Sequence, residues 1–172
     1  MSIRIGVSAC LLGDEVRYDG GHRRDQTLME LFGSAVEWVK VCPEVEIGMG
    51  TPREPIHLVD EGGTIRLLTV TTGIDHTASM IAYAANKVET LAGEGLGGYV
   101  LKSGSPSCGM TGVTTDSGRQ SATQAGVGLF AQALLARFPN LPIEDERRLA
   151  DPQLRARFIE RVLAYHRLRA TR

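Results

Sequence analysis

No stretch of 18 consecutive apolar residues occurs in the chain, which excludes a membrane-spanning helix. The opening residues, MSIRIGVSACLLG, lack the long apolar core and processing site of a secretory signal. Neither sign of charge is in excess. The 19 Lys and Arg against 20 Asp and Glu leave a net charge of −1, so no global field recruits nucleic acid. Cysteine is scarce: Cys10, Cys42 and Cys108 lie far apart, and an odd number excludes a closed disulfide framework. The reducing cytoplasm is the expected compartment. No CxxC pair is present, and the H-x-E…P-C-x-x-C pattern of zinc deaminases is missing. Internal repeats and low-complexity segments are absent too. What remains is ordinary for a globular protein, with 42% hydrophobic and 23% charged residues, and 172 residues suit one domain spanning 1–172. The 20 glycines are an exception. Many lie in the turns that hold the cysteines, where backbone is expected to pack close to a ligand.

Alternation of Ile3, Ile5 and Val7 predicts a first strand over 3–8. Residues 10–24 read as a polar loop, 25–34 as a helix, and AVEWVKV (35–41) as a second strand ending at Cys42-Pro43. Pro43, Pro52 and Pro55 make 43–62 a loop with short extended pieces. A strand is predicted at 64–70, then a helix from Asp75 or Thr77 to about Leu91. That helix shows Ile81, Ala84, Val88 and Leu91 on one face. GYVLK (98–102) is the next strand, and the serine- and glycine-rich 103–124 reads as a long functional loop. A helix at 126–138 and a connector with a short strand at Leu141–Ile143 follow. Asp151-Pro152 opens a last helix to about Arg169, with Leu154, Phe158, Val162 and Tyr165 as its apolar stripe. Strands alternating with helices predict an α/β, Rossmann-like domain: about four to five mostly parallel strands flanked by helices.

Each cysteine lies in a turn after an apolar run, so all three are expected at one edge of one sheet. Three thiolates converging there suit an iron–sulfur cluster with one iron left without a protein ligand. Small buried hydrophobes, a zinc site, or a cysteine nucleophile with His22, His57 or His76 as base are the other readings of the same residues. Glu44, two residues beyond Cys42 in CPE, reads as a general base on a bound water or as a solvated loop glutamate. GMGTPREP sets Arg53 in a proline-framed turn, as a phosphate or carboxylate binder or a partner of Glu54 or Glu44. VRYDGG supplies Arg17, Tyr18 and Asp19 as a base or ribose site, or a plain turn. KSGSPSCG places Lys102, Ser103, Ser105 and Ser107 beside Cys108, with hydroxyls and backbone N–H groups for a cluster sulfur or an oxyanion. Arg147, Arg148, Arg155, Arg157, Arg161, Arg167, Arg169 and Arg172 on and before the last helix read as an RNA surface or, preferentially, as an ordinary solvated face balanced by nearby acids.

VSACLLGDEVRYDGGH, VCPEVEIGMGTPREPIHL and LKSGSPSCGM, in that order, resemble the thiouracil desulfidase family over nearly the whole chain. GMGTPREPIHL and the C-terminal LPIEDERRLADPQLRARFIERVLAYHRLR are most similar to the catalytic half of tRNA 4-thiouridine desulfidases. Those proteins carry a further C-terminal domain thought to handle RNA, which is not expected within these 172 residues. The resemblance implies a [4Fe–4S] cluster held by Cys10, Cys42 and Cys108 with one open iron, a catalytic glutamate at Glu44, and a catalytic serine at Ser103 or Ser105. It implies hydrolytic, non-redox conversion of a thiolated uracil base, nucleotide or tRNA 4-thiouridine to the uracil form, with release of hydrosulfide. Ser107, Tyr18, Asp19, Arg17, Arg53 and Lys102 are then candidates for holding the substrate. A non-catalytic nucleotide- or tRNA-binding module, with structural zinc or no metal, is the alternative.

Overall fold

The computed structural model describes residues 2–118 and 123–170. A parallel sheet is built from β1 (Ile3–Ser8), β2 (Val36–Val41), β5 (Gly98–Leu101) and β8 (Ile143–Asp145), in the order β2-β1-β5-β8. Its inner strands β1 and β5 are buried on both faces, as in a sheet covered by helices, whereas the edge strand β2 leaves Glu37 and Lys40 exposed. Ile3, Ile5 and Val7 of β1 with Val100 of β5 point to one side. There Phe158 and Val162 of α6 (Pro152–Ala170) cover them, with Leu28 of α1 (Gln26–Leu31). Tyr99 and Leu101 point to the other side, among Met80, Ala84 and Leu91 of α3 (Thr77–Gly93) and Phe130 and Leu134 of α4 (Leu129–Arg137). The alternation along β5 thus splits the core into two layers.

Gly6 is required at its position. A Cβ there would lie 2.1 Å from Cδ2 of Tyr99, whose ring lies against the β1 backbone.

The remaining strands, β3 (Ile56–Glu61), β4 (Thr64–Thr69), β6 (Val113–Asp116) and β7 (Thr123–Gly126), make a second sheet in the order β4-β3-β6-β7. The pair β3–β4 is an antiparallel hairpin, β3–β6 is parallel and β6–β7 antiparallel. The predicted strand at 64–70 therefore belongs to this sheet and not to the parallel one. The segment 43–62 contains a helical turn, α2 (Pro43–Glu46), as well as strand β3. The region 103–124 is also not structureless, since it contains β6 and the start of β7. Residues 10–24 begin inside a 3-10 turn, Ala9–Leu12, closed by Gly13 at φ 96°.

The helix at 77–93 buries Ala84, Val88 and Leu91 of its predicted face and exchanges one member of it. Met80 is buried beside Ala84, Val88 and Leu91, whereas Ile81 is 54% exposed. The last helix keeps Phe158 and Val162 inside, with Leu154 and Tyr165 at its margins. A short helix α5 (Glu146–Leu149) directly follows β8. No helix among the described residues is long and apolar enough to cross a membrane.

Candidate active site at the carboxyl edge of the parallel sheet

The chain leaves β2 and crosses over to place β5 on the far side of β1, so β1 and β5 flank a topological switch point. Open α/β sheets bind ligands outside the carboxyl ends of such strands. Cys10 follows β1 in the 3-10 turn, Cys42 follows β2 as the N-cap of α2, and Cys108 lies in the loop after β5. All three line one cavity of about 290 Å³. Cys10 and Cys108 are buried and Cys42 is half-buried, and none is in a disulfide. Burial pushes the Cys10 thiol up to about 11, opposed by the Lys102 ammonium and reinforced by Cys42. Burial raises Cys42 as well, and raises Cys108 further still, with a Ser8 hydrogen bond working the other way. The protein around these thiols does not by itself favour thiolates; a bound cation would reverse the balance. Among the described residues, no three His, Cys, Asp or Glu groups are arranged to hold a single metal ion.

Glu44 stands on the first turn of α2, where Pro43 occupies an opening helical position that needs no N–H donor. Its Oε2 accepts from Arg53 Nε at 2.9 Å and Nη2 at 2.6 Å, and its Oε1 accepts from Ser107 Oγ at 2.7 Å. Arg53 also donates from Nη1 to the Gly50 carbonyl at 2.9 Å. Both charged side chains are sheltered, 5% exposed for Arg53 and 13% for Glu44. Glu46, two residues on, faces away and pairs with Lys87 of α3 at 2.8 Å. Of the partners foreseen for Arg53, Glu44 is the one it meets; Glu54 instead accepts from Thr72.

The three serines of the loop do different things. Ser105 Oγ accepts from the backbone N–H groups of Ser107 (3.2 Å) and Cys108 (3.0 Å), stapling the loop on itself. Ser107 is buried and touches Glu44. Ser103 donates from Oγ to Glu146 Oε1 at 2.6 Å and from its backbone N–H to Oε2 at 2.7 Å. Lys102 Nζ donates to the same Oε1 at 2.5 Å and to Ser103 Oγ at 3.1 Å. The loop is anchored from behind, because Phe130 and Ala131 in the first turn of α4 donate to the Ser107 carbonyl at 3.0 and 3.1 Å. Gly128 allows this approach, since a Cβ there would lie 2.5 Å from the Ser107 carbonyl.

Arg17 and Tyr18 also line the cavity. The buried Nε of Arg17 makes no hydrogen bond among the described residues, and Asp19 Oδ1 is 3.7 Å away. Asp19 is not part of the wall. It is an exposed turn residue accepting from Gly21 N–H at 3.0 Å, a bond that holds its carboxyl below the usual range.

Three residues escaped the sequence reading: Ser8, Arg23 and Glu146. Ser8 Oγ accepts from Lys102 N–H at 2.9 Å and lines the cavity with Arg23. Two positions before Cys10 at a strand end was a usable signal for Ser8; nothing local marked Arg23. Glu146 stood in an acidic run read as solvated balance for the arginines, yet Glu144 and Asp145 are buried and Glu146 is only 12% exposed. Arg148 and Arg161 pair with Glu144, at 2.6 and 3.8 Å, while Arg155 and Arg169 donate to the carbonyls of Leu149 and Leu96. Four of these arginines are thus engaged by their own fold while their segment stays mostly exposed, and Arg172 lies outside the described residues.

Fold and site together define an α/β protein with a three-cysteine cavity at the switch point of a parallel sheet. The sequence profile of the 2-thiouracil desulfurase family matches residues 5–146, and the chain belongs to that family. It is 33% identical over 109 residues to the uncharacterized protein YbbK of Bacillus subtilis (strain 168), covering 60% of this chain and 71% of that one. A solved structure titled as the [4Fe–4S]-dependent thiouracil desulfidase TudS superposes with a TM-score of 0.70 at 32% identity, covering 89% of this chain and 95% of its own.

Proposed function

We propose that this chain is a single-domain, iron–sulfur-dependent desulfidase that hydrolyses a thiolated uracil compound to its uracil form without net electron transfer. The observation that carries the reading is the meeting of three sheltered thiols and one clamped carboxylate, Glu44, in a single cavity. A [4Fe–4S] cluster fits this donor set. The thiols are soft ligands spread around a cavity instead of converging on one ion, as suits a cluster that gives each thiolate its own iron. Arg17 lines the same wall with a buried Nε that makes no hydrogen bond among the described residues, and offsets part of the thiolate charge; Lys102 and Arg53 also line it but are paired with Glu146 and Glu44. Cys10, Cys42 and Cys108 would hold the cluster and leave one iron without a protein ligand. When bound, it supplies a soft Lewis acid for a thiocarbonyl sulfur.

The chain's own side chains supply the rest. Glu44 reaches the cavity with one oxygen on Arg53 and the other on Ser107, so its carboxylate is aimed before substrate enters. It takes a proton from the water that adds to the ring carbon. The carbonyl forms as the C–S bond breaks, and sulfur leaves as hydrosulfide. Water's oxygen and the departing sulfur exchange places, so atoms balance and no oxidant or reductant is needed. Ser103 lines the cavity wall with its hydroxyl held between the Glu146 carboxylate and the Lys102 ammonium. Ser105 is committed to the loop backbone, which favours Ser103 as the serine that meets water or the ring. Arg53 acts as the clamp of Glu44, and Arg17 and Tyr18 are the groups left to meet the substrate, because Lys102 commits its three donors to Ser103 and Glu146. The cavity size favours a base or nucleotide over tRNA, with turnover in the cytoplasm.

Anaerobically reconstituted protein incubated with 4-thiouracil, 4-thiouridine monophosphate and thiolated tRNA is expected to lose the thiocarbonyl absorbance of at least one and release sulfide. Persistence of that absorbance with all three sinks the reading. About four iron and four sulfide per chain separate the enzyme from a zinc-bearing or metal-free binding module.

A further inference from the structure

Glu146 lies outside the cavity wall, yet its carboxylate gathers three donors from the wall: the Lys102 ammonium, the Ser103 hydroxyl and the Ser103 N–H. The sheet puts it there. β5 and β8 run parallel with Leu101 opposite Asp145, so the residue following each strand, Lys102 and Glu146, emerges at the same edge. We propose that Glu146 is a positioning residue that turns Ser103 into a hydrogen-bond acceptor toward the cavity. This rests on the desulfidase reading for its catalytic consequence but not for its geometry.

A serine hydroxyl has one proton and two lone pairs. The Ser103 proton is committed to Glu146 Oε1 at 2.6 Å, and one lone pair receives Lys102 Nζ at 3.1 Å. One lone pair is left, and it can only accept. A substrate ring N–H, or the second hydrogen of the attacking water, is the group such an acceptor orients. Glu146 itself sits against Lys102, an ammonium that makes it a poor proton acceptor, so the two acids divide the work. Glu44, on the wall, exchanges the proton; Glu146, behind it, holds the hydroxyl's direction fixed.

Glu146→Gln keeps the shape and replaces one acceptor oxygen by a donor. In reconstituted protein, kcat with 4-thiouridine monophosphate or 4-thiouracil is expected to fall about 10–100-fold, with KM within threefold and iron content unchanged. In the same variant without cluster, NMR amide exchange should show Ser103 protection falling about tenfold while Tyr99–Leu101 hold. In the Ser103→Ala background, adding Glu146→Gln should cost nothing further. A Glu146→Gln enzyme with unchanged kcat, or unchanged Ser103 protection, overturns the proposal. If that variant fails to fold, the wild-type protein decides: the Ser103 amide shift must titrate with the Glu146 carboxyl carbon, and independent midpoints refute the link. A wild type inactive on every thiocarbonyl would remove the desulfidase reading, while both NMR measurements would still decide the positioning of Ser103.

Discussion

Replacing Arg53 by methionine removes the cation from a sheltered pair while keeping most of the side-chain volume. Glu44 then loses two charge-assisted hydrogen bonds, at 2.9 and 2.6 Å, and keeps only Ser107. Breaking a fully buried pair from one side costs about 3–5 kcal/mol. Glu44 opens onto a cavity and can regain some water there, so about 2–4 kcal/mol is expected. At a urea slope of about 2 kcal/mol/M, the unfolding midpoint of the cluster-free protein should drop by about 1–2 M. Glu44→Gln in the same background should recover part of the loss, because the uncompensated charge is then gone, with a coupling of about 1–2 kcal/mol. A midpoint shift below about 0.2 M, or strictly additive costs, would show that Arg53 does not hold Glu44 and that the clamp is no part of the site. Arg53→Lys should be nearly as damaging to turnover, since an ammonium cannot occupy Glu44 and the Gly50 carbonyl with one planar fork.

Gly6→Ala should destabilise by at least about 1–3 kcal/mol, read as a lowered Tm, because the added methyl enters the Tyr99 ring. Burial alone would raise the Glu146 carboxyl, but hydrogen bonds from Lys102 and Ser103 outweigh it and hold it below its usual range. A depressed carboxyl stabilises the fold above its unfolded value of about 4.3 and loses that contribution as pH falls through the folded value. Urea titrations at pH 6 and pH 3.5 should therefore show a smaller drop in Glu146→Gln than in wild type; equal drops would contradict the assignment. Cys108→Ser should lose both iron and turnover, whereas Glu44→Gln should retain iron and lose turnover. The reverse pattern, measured by iron assay and thiocarbonyl absorbance, would remove Glu44 from the chemistry.

The parallel strands were legible because Ile3, Ile5, Val7 and the run GYVL follow simple burial rules, and the cysteines were legible as strand-end residues. The second sheet was not. Thr64–Thr69 has the same alternation whichever strand it meets, and only the tertiary pairing of β3 with β6 assigns it. Val113–Asp116 was hidden inside a stretch whose serines and glycines read as loop. Ile81 fits the helical period as well as Met80 does, and which one is covered depends on where the helix meets the sheet. Glu146 could not be singled out locally, because an acid at a strand end is solvated or sheltered according to the neighbouring strand. That neighbour, β5, lies more than forty residues earlier.

The loop holding Ser107 and Cys108 is fastened to the start of α4, and the turn holding Glu44 is fastened to α3 through Glu46 and Lys87. The two banks of the cavity therefore belong to neighbouring helices, which meet with Tyr83 against Phe130 and bury Ala84 and Ala131 in one core. The separation of those helices acts as a gauge for the gap that Ser107 and Glu44 span. Enlarging Ala84 or Ala131, buried in the core and outside the cavity wall, would strain that spacing with every wall residue unsubstituted.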